Sequence, residues 1–401
     1  MRARWLAGVV LWGLFGLWLP LSGQQLRWLG HSSGRPVIAS AVSGDGQVVV
    51  GSMPVCYIPP EQYRCSYRDH PFRWVVATNS VLDLLADCND YCQSVARGIS
   101  FYGDVIVGGG LGFPGFRWDL EVQNFTERYH SGVAFGVSGD GRVVVGQLSG
   151  RAFRHVLDQP IELLGTLGGA QSEALDASWD GAVVVGRAQD AQGNWRAFRW
   201  TEATGMRDLG VLFSTHWSGT ATAVSADGNT VVGWTQGFTA RAFRWTPATG
   251  LQPLRAFPDG GNTFAQDVSA DGRVIVGWAQ VGMEERAVRW RASGAIEDLN
   301  VAFRSLLRAG EVLRRANGVS ADGRYIVGWG ERGGIVEAFW LDTRLAGDVN
   351  GDGCIDEADL LRVLFAFGQS GSDLPEDTNR DGVVDDADLL SVLFDFSRGC
   401  E

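Results

Sequence analysis

The sequence contains no lysine, and all 34 of its basic side chains are arginine. Acidic side chains outnumber them, with 46 Asp and Glu and a net charge of −12. Residues 347–401 hold most of this excess, because their eleven Asp and three Glu exceed their three Arg by eleven. The rest of the chain is therefore nearly neutral, which argues against nucleic acid as a partner, since nucleic acid would need a basic face.

Histidine is also scarce, with five residues in the chain (31, 70, 130, 155 and 216), and no nucleophile or metal pattern surrounds them. Acidic residues that lie outside the repeated positions described below include Glu173, Asp190, Glu284 and Glu285. None belongs to a motif, so we interpret them as solvated loop acids. The sequence thus indicates no catalytic residue, and an enzyme is the less favoured interpretation.

Long apolar runs are absent after the N-terminus. Arg2 and Arg4 precede an uninterrupted apolar stretch from Trp5 to Leu19, and small residues follow at 22 and 23. This order predicts a signal peptide over residues 1–23 and an exported protein without a membrane span after cleavage. The alternative is an uncleaved anchor, for which the stretch is shorter than the usual span of about twenty residues.

Cysteine is limited to six residues in two groups. In an exported protein this number predicts three disulfides. The acidic tail is bracketed by Cys354 and Cys400, which we expect to pair. The remaining four fall within 37 residues, and we favour Cys56–Cys65 and Cys88–Cys92. Zinc binding by these four is the alternative, although their spacing does not resemble paired zinc knuckles.

The middle of the chain repeats one unit seven times. Each copy contains a Ser, preceded by Val in five of the seven, then a turn with a central Gly and a Val-rich segment ending in Gly; the central Gly residues are 46, 103, 141, 181, 228, 272 and 323. Two further strand-like pieces complete each copy. Four short strands per unit predict an all-β, seven-bladed β-propeller over residues 24–345. A β-solenoid is the alternative, but its coils are usually shorter.

One strand-like segment has no unit of its own. The last copy ends at Leu341 without a fourth strand, whereas residues 26–30 match the fourth-strand pattern with no strands before them. We therefore predict that the N-terminal segment completes the last blade. Such pairing would remove two open sheet edges.

The third strand of several copies reads Arg-Ala-Phe-Arg-Trp, as at 196–200 and 241–245. It resembles the extracellular HAF repeat, with Arg in place of His. This resemblance implies a secreted or cell-surface bacterial protein and no particular reaction. The repeated Arg residues are either anion ligands or outward partners of Asp in neighbouring strands, and we favour the second interpretation.

Two segments of the acidic tail, 348–359 and 377–388, carry oxygen-bearing side chains at positions 1, 3, 5, 9 and 12 and Gly at position 6. This spacing surrounds a hard cation with oxygens, and position 7 contributes its carbonyl. The sequence predicts two Ca²⁺ ions, held by Asp348, Asn350, Asp352, Cys354, Asp356 and Asp359 and by Asp377, Asn379, Asp381, Val383, Asp385 and Asp388. We expect helices over 360–367 and 389–396.

The tail departs from an ordinary EF-hand because no helix precedes the first loop and Asp fills position 12. Residues 347–398 resemble a type I dockerin, a duplicated half EF-hand, within a predicted domain over 346–401. The resemblance implies a cohesin-like partner and an extracellular assembly, often one that degrades polysaccharide. Positions 10 and 11, which contact the partner in dockerins, are atypical here: Glu357-Ala358 and Asp386-Ala387.

Together these patterns predict a secreted, calcium-binding, non-catalytic binding or scaffold protein. It would dock through its tail to a cohesin-like or other cell-surface protein, and polysaccharide is a further candidate ligand. The alternatives are a dockerin-borne glycoside hydrolase, or another polysaccharide-degrading component, and a purely structural surface protein. An acidic pair at the propeller's mouth would favour the enzyme. A mouth lined by Arg and Trp would favour binding.

Overall fold

The computed structural model describes residues 24–30, 34–57, 66–86, 93–110, 113–345, 347–350, 354–371, 374–379 and 381–396. The chain forms two compact units: the larger is Gln25–Thr343, and the smaller includes the described residues after Thr343. None of the described helices has the length and apolar character needed to cross a membrane. The predicted signal peptide lies outside the described residues.

Within the described residues, the larger unit contains seven four-stranded antiparallel sheets. The chain begins with β1 (Gln25–Leu29). Blades 1 to 3 are β2 (Ile38–Val42), β3 (Val48–Tyr57), β4 (Ser66–Val75) and β5 (Ser80–Asp83); β6 (Val95–Ile99), β7 (Val105–Gly110), β8 (Phe113–Asp119) and β9 (Asn124–Tyr129); and β10 (Gly132–Val137), β11 (Val143–Leu148), β12 (Arg151–Val156) and β13 (Glu162–Gly165).

Three further blades follow the same order. They are β14 (Gly168–Ala177), β15 (Val183–Asp190), β16 (Trp195–Thr201) and β17 (Gly205–Asp208); β18 (Ser218–Val224), β19 (Val231–Gln236), β20 (Ala240–Thr246) and β21 (Gly250–Pro253); and β22 (Thr263–Val268), β23 (Ile275–Val281), β24 (Glu284–Trp290) and β25 (Ile296–Asp298). A short helix, α1 (Leu299–Ala302), and a 3-10 turn (Arg304–Leu306) lead to blade 7, which contains β26 (Glu311–Val319), β27 (Tyr325–Arg332) and β28 (Ile335–Asp342).

The first strand of each blade contacts the first strands of the blades before and after it, so these strands surround a central channel. The fold is a seven-bladed β-propeller, as the repeat predicts. Blade 7 takes its fourth strand from the N-terminus: β1 pairs antiparallel with β28, with Gln25 opposite Asp342 and Leu29 opposite Ala338. The prediction that the N-terminal segment completes the last blade is therefore confirmed.

Each turn between first and second strands is fixed by its Ser and Gly. In all seven blades the Ser hydroxyl accepts a hydrogen bond from the amide five residues later, as from Val48 to Ser43 at 2.9 Å. In blade 1 the same hydroxyl donates to Asp45 at 2.6 Å. Gly46 has a φ of 74°, which only Gly adopts without strain. The repeated Ser-x-Asp-Gly is thus a turn-forming sequence.

The two Arg residues of the third strand have different roles. Arg196 pairs with Asp208 of its own blade at 3.0 Å, as the preferred interpretation expects. The second Arg instead links consecutive blades: Arg154 donates to the Gly181 carbonyl of blade 4 at 2.9 Å. In blade 7 Trp340 occupies this position, and its indole N–H donates to Gly46 of blade 1 at 2.9 Å. This bond connects the last blade to the first.

Two helices in the smaller unit follow the acidic loops, namely α2 (Glu357–Ala366) and α3 (Asp386–Phe394). Both begin three residues earlier than predicted, because Asp356 and Asp385 cap their N-termini and form capping boxes. An apolar core joins the two halves of the unit and contains Val349, Ile355, Val363, Ala366, Val384 and Val392.

Candidate functional site

A β-bulge occurs at the same place in the first strand of every blade. A bulge leaves one residue unpaired and changes the direction of its side chain. The bulged residues all line a central cavity of about 220 Å³; they are Ser40, Arg97, Phe135, Leu175, Thr222, Gln266 and Asn317. The fold therefore places one variable side chain from each blade in the channel, which is where repeated blades can differ to bind a ligand.

At one end of this channel, backbone hydrogen bonds join all seven blades in a ring. Each blade bonds to the next beside its Ser-x-Asp-Gly turn, as in Gly44 N–H to the Phe101 carbonyl at 2.8 Å. The last link runs from Ala321 back to Gly44 at 3.0 Å. We call this end the turn-side mouth, defined by Gly44, Phe101, Gly139, Trp179, Ala226, Ala270 and Ala321.

Two carboxylates line the channel, from Asp176 and Asp267. Asp176 accepts a hydrogen bond from the Val224 amide at 2.9 Å, and Asp267 accepts one from the Val319 amide at 2.8 Å. Sequence reasoning missed both residues. Alignment of the seven copies shows the signal, because the equivalent residue in the other five is small: Ala41, Gly98, Gly136, Ala223 and Gly318.

The channel perturbs the titration of its charged groups. Burial, followed by the charge of Asp267, raises the pKa of Asp176 to about 7. Burial also raises the pKa of Asp267 to about 6. Burial lowers the pKa of Arg97, and the charge of Glu173 acts in the opposite direction. The two acids therefore hold protons at a pH where ordinary aspartates are ionised.

The raised pKa of Asp176 predicts that stability falls as pH rises from about 4 to about 7, since the folded state keeps a proton that the unfolded chain has lost. Asp176→Asn retains an acceptor for the Val224 amide but cannot titrate. Between pH 4.5 and pH 8, the free energy of unfolding of this variant should therefore rise by about 2 kcal/mol relative to that of the wild type. This figure allows for solvent screening by water in the channel. Urea denaturation at both pH values measures the difference.

The matched control for this measurement is Asp259→Asn, which changes an exposed aspartate. Its stability should follow the wild-type pH dependence. If Asp176→Asn also follows it, Asp176 is already ionised in the folded protein at pH 4.5 and the predicted coupling is wrong.

The four acids singled out in the sequence do not form a pair. Asp190 accepts hydrogen bonds from Gln192 and Asn194 within its own exposed turn. Arginine side chains bind the other three: Glu173 with Arg187, Glu284 with Arg286, and Glu285 with Arg315. All four lie in strands (β14, β15 and β24), so the interpretation as solvated loop acids is wrong and their roles are structural. Three histidines likewise form local hydrogen bonds: His70 with Asp83, His155 with Tyr129, and His216 with Thr235.

Aromatic side chains form a second feature, further from the turns in blades 5 to 7. Phe264 stacks on Trp278 with ring centroids 4.1 Å apart, and Trp234 meets Phe264 edge-on at 5.3 Å. The Arg315 guanidinium lies 4.2 Å from the Trp278 centroid and 5.6 Å from that of Trp329. Arg and Trp side chains therefore lie on the first and second strands of blades 5 to 7, and the channel also contains an acidic pair.

The second acidic loop is fixed by its own side chains. Asp377 accepts from the Gly382 amide at 2.8 Å, and Asn379 accepts from the Asp381 amide at 2.8 Å. Asp388, at position 12, is fully buried and accepts amide hydrogen bonds from residues 378, 379 and 385. In the first loop Asp359 makes the equivalent bonds to the amides of residues 349, 350 and 356.

Among the described residues, no group of three or more His, Cys, Asp or Glu side chains is arranged to hold a metal ion. Asp352, one of the predicted ligands, lies outside those residues. The predicted set also includes amide oxygens of Asn350 and Asn379 and the carbonyls of Cys354 and Val383. Because every donor is an oxygen, the chemistry of the set fits Ca²⁺. Calcium binding stays a prediction.

No protein-family model and no curated protein matches the chain. Solved structures share its fold. The β-propeller domain of Cps50 (Swd1) from Myceliophteria thermophila is 9% identical, with a TM-score of 0.50 and coverage of 79% of this chain and 99% of that one. An oligogalacturonate lyase in complex with manganese is 12% identical, with a TM-score of 0.51 and coverage of 80% and 97%.

TolB from Acinetobacter baumannii is 13% identical, with a TM-score of 0.44, and the match covers 63% of this chain and 63% of TolB. The chain thus spans less than two thirds of the length of that relative. At these identities the two structures with TM-scores of 0.50 and 0.51 show the propeller fold alone.

Proposed function

We propose that this is a secreted, calcium-binding and non-catalytic binding protein that docks through its helical tail to a cohesin-like or other cell-surface protein. One observation carries the docking: α2 and α3 leave matching apolar side chains exposed. Phe365 and Phe394 are each 84% exposed, and Leu361 and Leu390 are each 49% exposed. The same match extends to Leu364 with Leu393 and Phe367 with Phe396.

This exposure exceeds what the core of the tail requires. A helix in so small a unit buries one stripe against its sister, and Val363 and Val392 provide it here. The remaining Leu and Phe side chains form an apolar surface on each helix. Surfaces of this kind in soluble proteins usually mark binding sites. The dockerin resemblance of residues 347–398 supports a cohesin-like partner.

Calcium binding is the second part of the proposal. The oxygen donors at positions 1, 3, 5, 7, 9 and 12 of both loops would hold one ion each. Bound Ca²⁺ would supply positive charge that offsets the carboxylates and connects each loop to its helix. Asp359 and Asp388 already join the loop backbone to the helix start in the structure.

We expect calorimetry on residues 346–401 to give about two ions per chain, with an affinity of roughly micromolar to millimolar. Replacement of Asp352 and Asp381 by Ala should abolish both binding events, because each loop loses a carboxylate ligand. Glu376→Ala, which removes an acid outside the loop positions, should change neither. A flat titration of the wild type, or binding that survives the double substitution, would contradict the calcium sites.

Docking is tested by capture of a type I cohesin by the full chain, with and without a calcium chelator. The matching faces predict that the partner binds in two orientations related by a half-turn. Substitution of Glu357-Ala358 alone, or of Asp386-Ala387 alone, should therefore leave capture within about twofold of wild type. Substitution of both pairs should abolish it. Loss of capture by one pair alone would exclude the two-orientation arrangement.

Export is the third part of the proposal, together with a cell-surface location and the HAF-type repeat. The described cysteines, Cys56 and Cys354, are not free thiols, which supports an oxidising location. Their predicted partners, Cys65 and Cys400, lie outside the described residues, as do Cys88 and Cys92. The pairing therefore stays a prediction for peptide mapping without reduction.

Hydrolysis of glycosidic bonds is a second candidate function, and one observation favours it. Asp176 and Asp267 both line the channel, and the raised pKa of Asp176, about 7, suits a general acid. Both carboxylates, however, accept hydrogen bonds from backbone amides of the next blade, and this structural role argues against catalysis. Release of reducing sugar from polysaccharide by the wild type, with loss in Asp176→Asn, would establish the enzyme.

A further inference from the structure

The turn-side mouth is asymmetric, since two of its seven residues are aromatic and the others are Gly or Ala. The rings of Phe101 and Trp179 meet edge to face with centroids 4.9 Å apart. Tyr102 lies 5.0 Å from Phe101 and is 68% exposed. A Cβ at Gly44 would overlap the Phe101 ring, and one at Gly139 would overlap Trp179. The small residues thus make room for an aromatic platform.

Tyr102 is not required by the turn that carries it. The other six copies have Asp at this position, and in each of them the Ser hydroxyl donates to that carboxylate. In blade 2 the Ser100 hydroxyl donates instead to Asp104, two residues further on. The turn keeps its hydrogen bond from another position, so the turn itself does not require this exposed Tyr at the mouth.

The channel behind the platform is polar but not strongly charged. Its cavity of about 220 Å³ equals the volume of about seven water molecules, comparable to one hexose. Ser40, Gln266 and Asn317 offer uncharged donors and acceptors, and the lining also contains one guanidinium, from Arg97, and two carboxyl groups, from Asp176 and Asp267. The channel thus suits a small ligand with many hydroxyl groups.

The charges around the mouth further restrict the type of ligand that can bind there. Every Ser-x-Asp-Gly turn brings an aspartate to this side, as does Asp104 in blade 2, and third-strand arginines reach the same turns, as Arg154 does at Gly181. Charges of both signs thus surround the mouth, which favours neither a polyanion nor a polycation. A cationic ligand would meet Arg97 in the channel. Aromatic rings provide apolar faces that pack on flat ligands without a charge requirement.

We propose that the turn-side mouth binds the end of a neutral polysaccharide chain. Sugar rings pack on Trp179, Phe101 and Tyr102, and the terminal residue bonds to the polar side chains of the channel. This names the ligand class of the propeller, and it rests on the proposed function as a binding protein.

The repeat supplies substitutions that the fold already accepts. Trp179→Ala gives the residue found at 226, 270 and 321, and Phe101→Gly gives that found at 44 and 139. The control is Phe238→Ala, which removes a ring that is 92% exposed and packs on Trp217 away from the mouth. Affinity electrophoresis of the full chain is carried out in xyloglucan, glucomannan and mixed-linkage β-glucan. Polygalacturonate and a hexa-arginine peptide are the charged probes.

We expect at least one neutral polysaccharide to retard the wild type. Trp179→Ala and Phe101→Gly should each weaken that binding about tenfold, with unchanged melting, and Phe238→Ala should stay within about twofold. The inference is overturned if no neutral polysaccharide binds, if both mouth variants bind as the wild type does, or if either charged probe binds more tightly than the neutral ones.

A chelator separates this inference from the docking proposal. Calcium removal should abolish cohesin capture and leave polysaccharide retardation intact. Loss of retardation in the mouth variants with capture retained confirms the sugar site alone. Capture without any retardation of the wild type overturns the sugar site and leaves docking standing.

Discussion

Deletion of residues 24–30 should lower the melting temperature of the propeller by about 10 °C. The reason is that β1 is the fourth strand of blade 7 and pairs with β28 at five positions. Its Trp28 packs edge-on against Phe339, with centroids 6.2 Å apart. Its Arg27 donates to the Val76 carbonyl of blade 1 at 2.7 Å. Loss of these bonds and of apolar burial costs about 5 kcal/mol.

The control for this deletion moves the strand instead of removing it. Because Gln25 lies opposite Asp342, the segment can follow Asp342 through a tight turn and pair in the same register. A protein that consists of residues 31–342, the tight turn and this segment should melt at the temperature of the undeleted propeller. If the deleted and restored proteins melt within about 2 °C of each other, β1 does not stabilise the closed ring.

Gly233→Ala should destabilise the protein by about 3 kcal/mol, although it adds only a methyl group. The bulge in the first strand places the Thr220 carbonyl directly over Gly233, so that a Cβ there would overlap the carbonyl oxygen. Backbone on both sides prevents relief by side-chain rotation. The same overlap occurs at the equivalent glycine of every blade: 51, 108, 146, 186, 277 and 328.

The matched control is Gly205→Ala. Gly205 has a φ of 63°, but no atom lies within 4 Å of a Cβ built on it. Its substitution should therefore cost only the strain of a left-handed backbone, about 1 kcal/mol. Urea denaturation compares the two variants. An equal cost would mean that the strands separate easily, and that the glycine of the second strand is not a packing requirement.

Several features could be predicted from the sequence because they depend on local chemistry. The Ser-x-Asp-Gly turns recur at regular spacing, and their hydrogen bonds and positive φ lie within a few residues of one another. Repetition of that unit determined the blade count, since each blade buries its faces only against its neighbours. Residues 26–30 could be assigned to the last blade because their pattern matched a strand that it lacked.

The helix boundaries of the tail were misjudged for an equally local reason. The sequence predicts Asp356 and Asp385 as loop ligands, but these residues also cap the helices that follow. One residue therefore serves both a loop and a helix, and a periodic apolar pattern begins only after the capping turn.

Only the tertiary structure decided where function can reside in the propeller. Asp176 and Asp267 lie far apart in sequence, yet both line the channel, where burial raises the pKa of Asp176 and the charge of Asp267 raises it further. Phe101 and Trp179 likewise meet only because their blades are joined around the ring. The repeat determined the ring, because each blade follows from short-range bonds. The channel brings together one residue from each of seven blades, and no local pattern records that proximity.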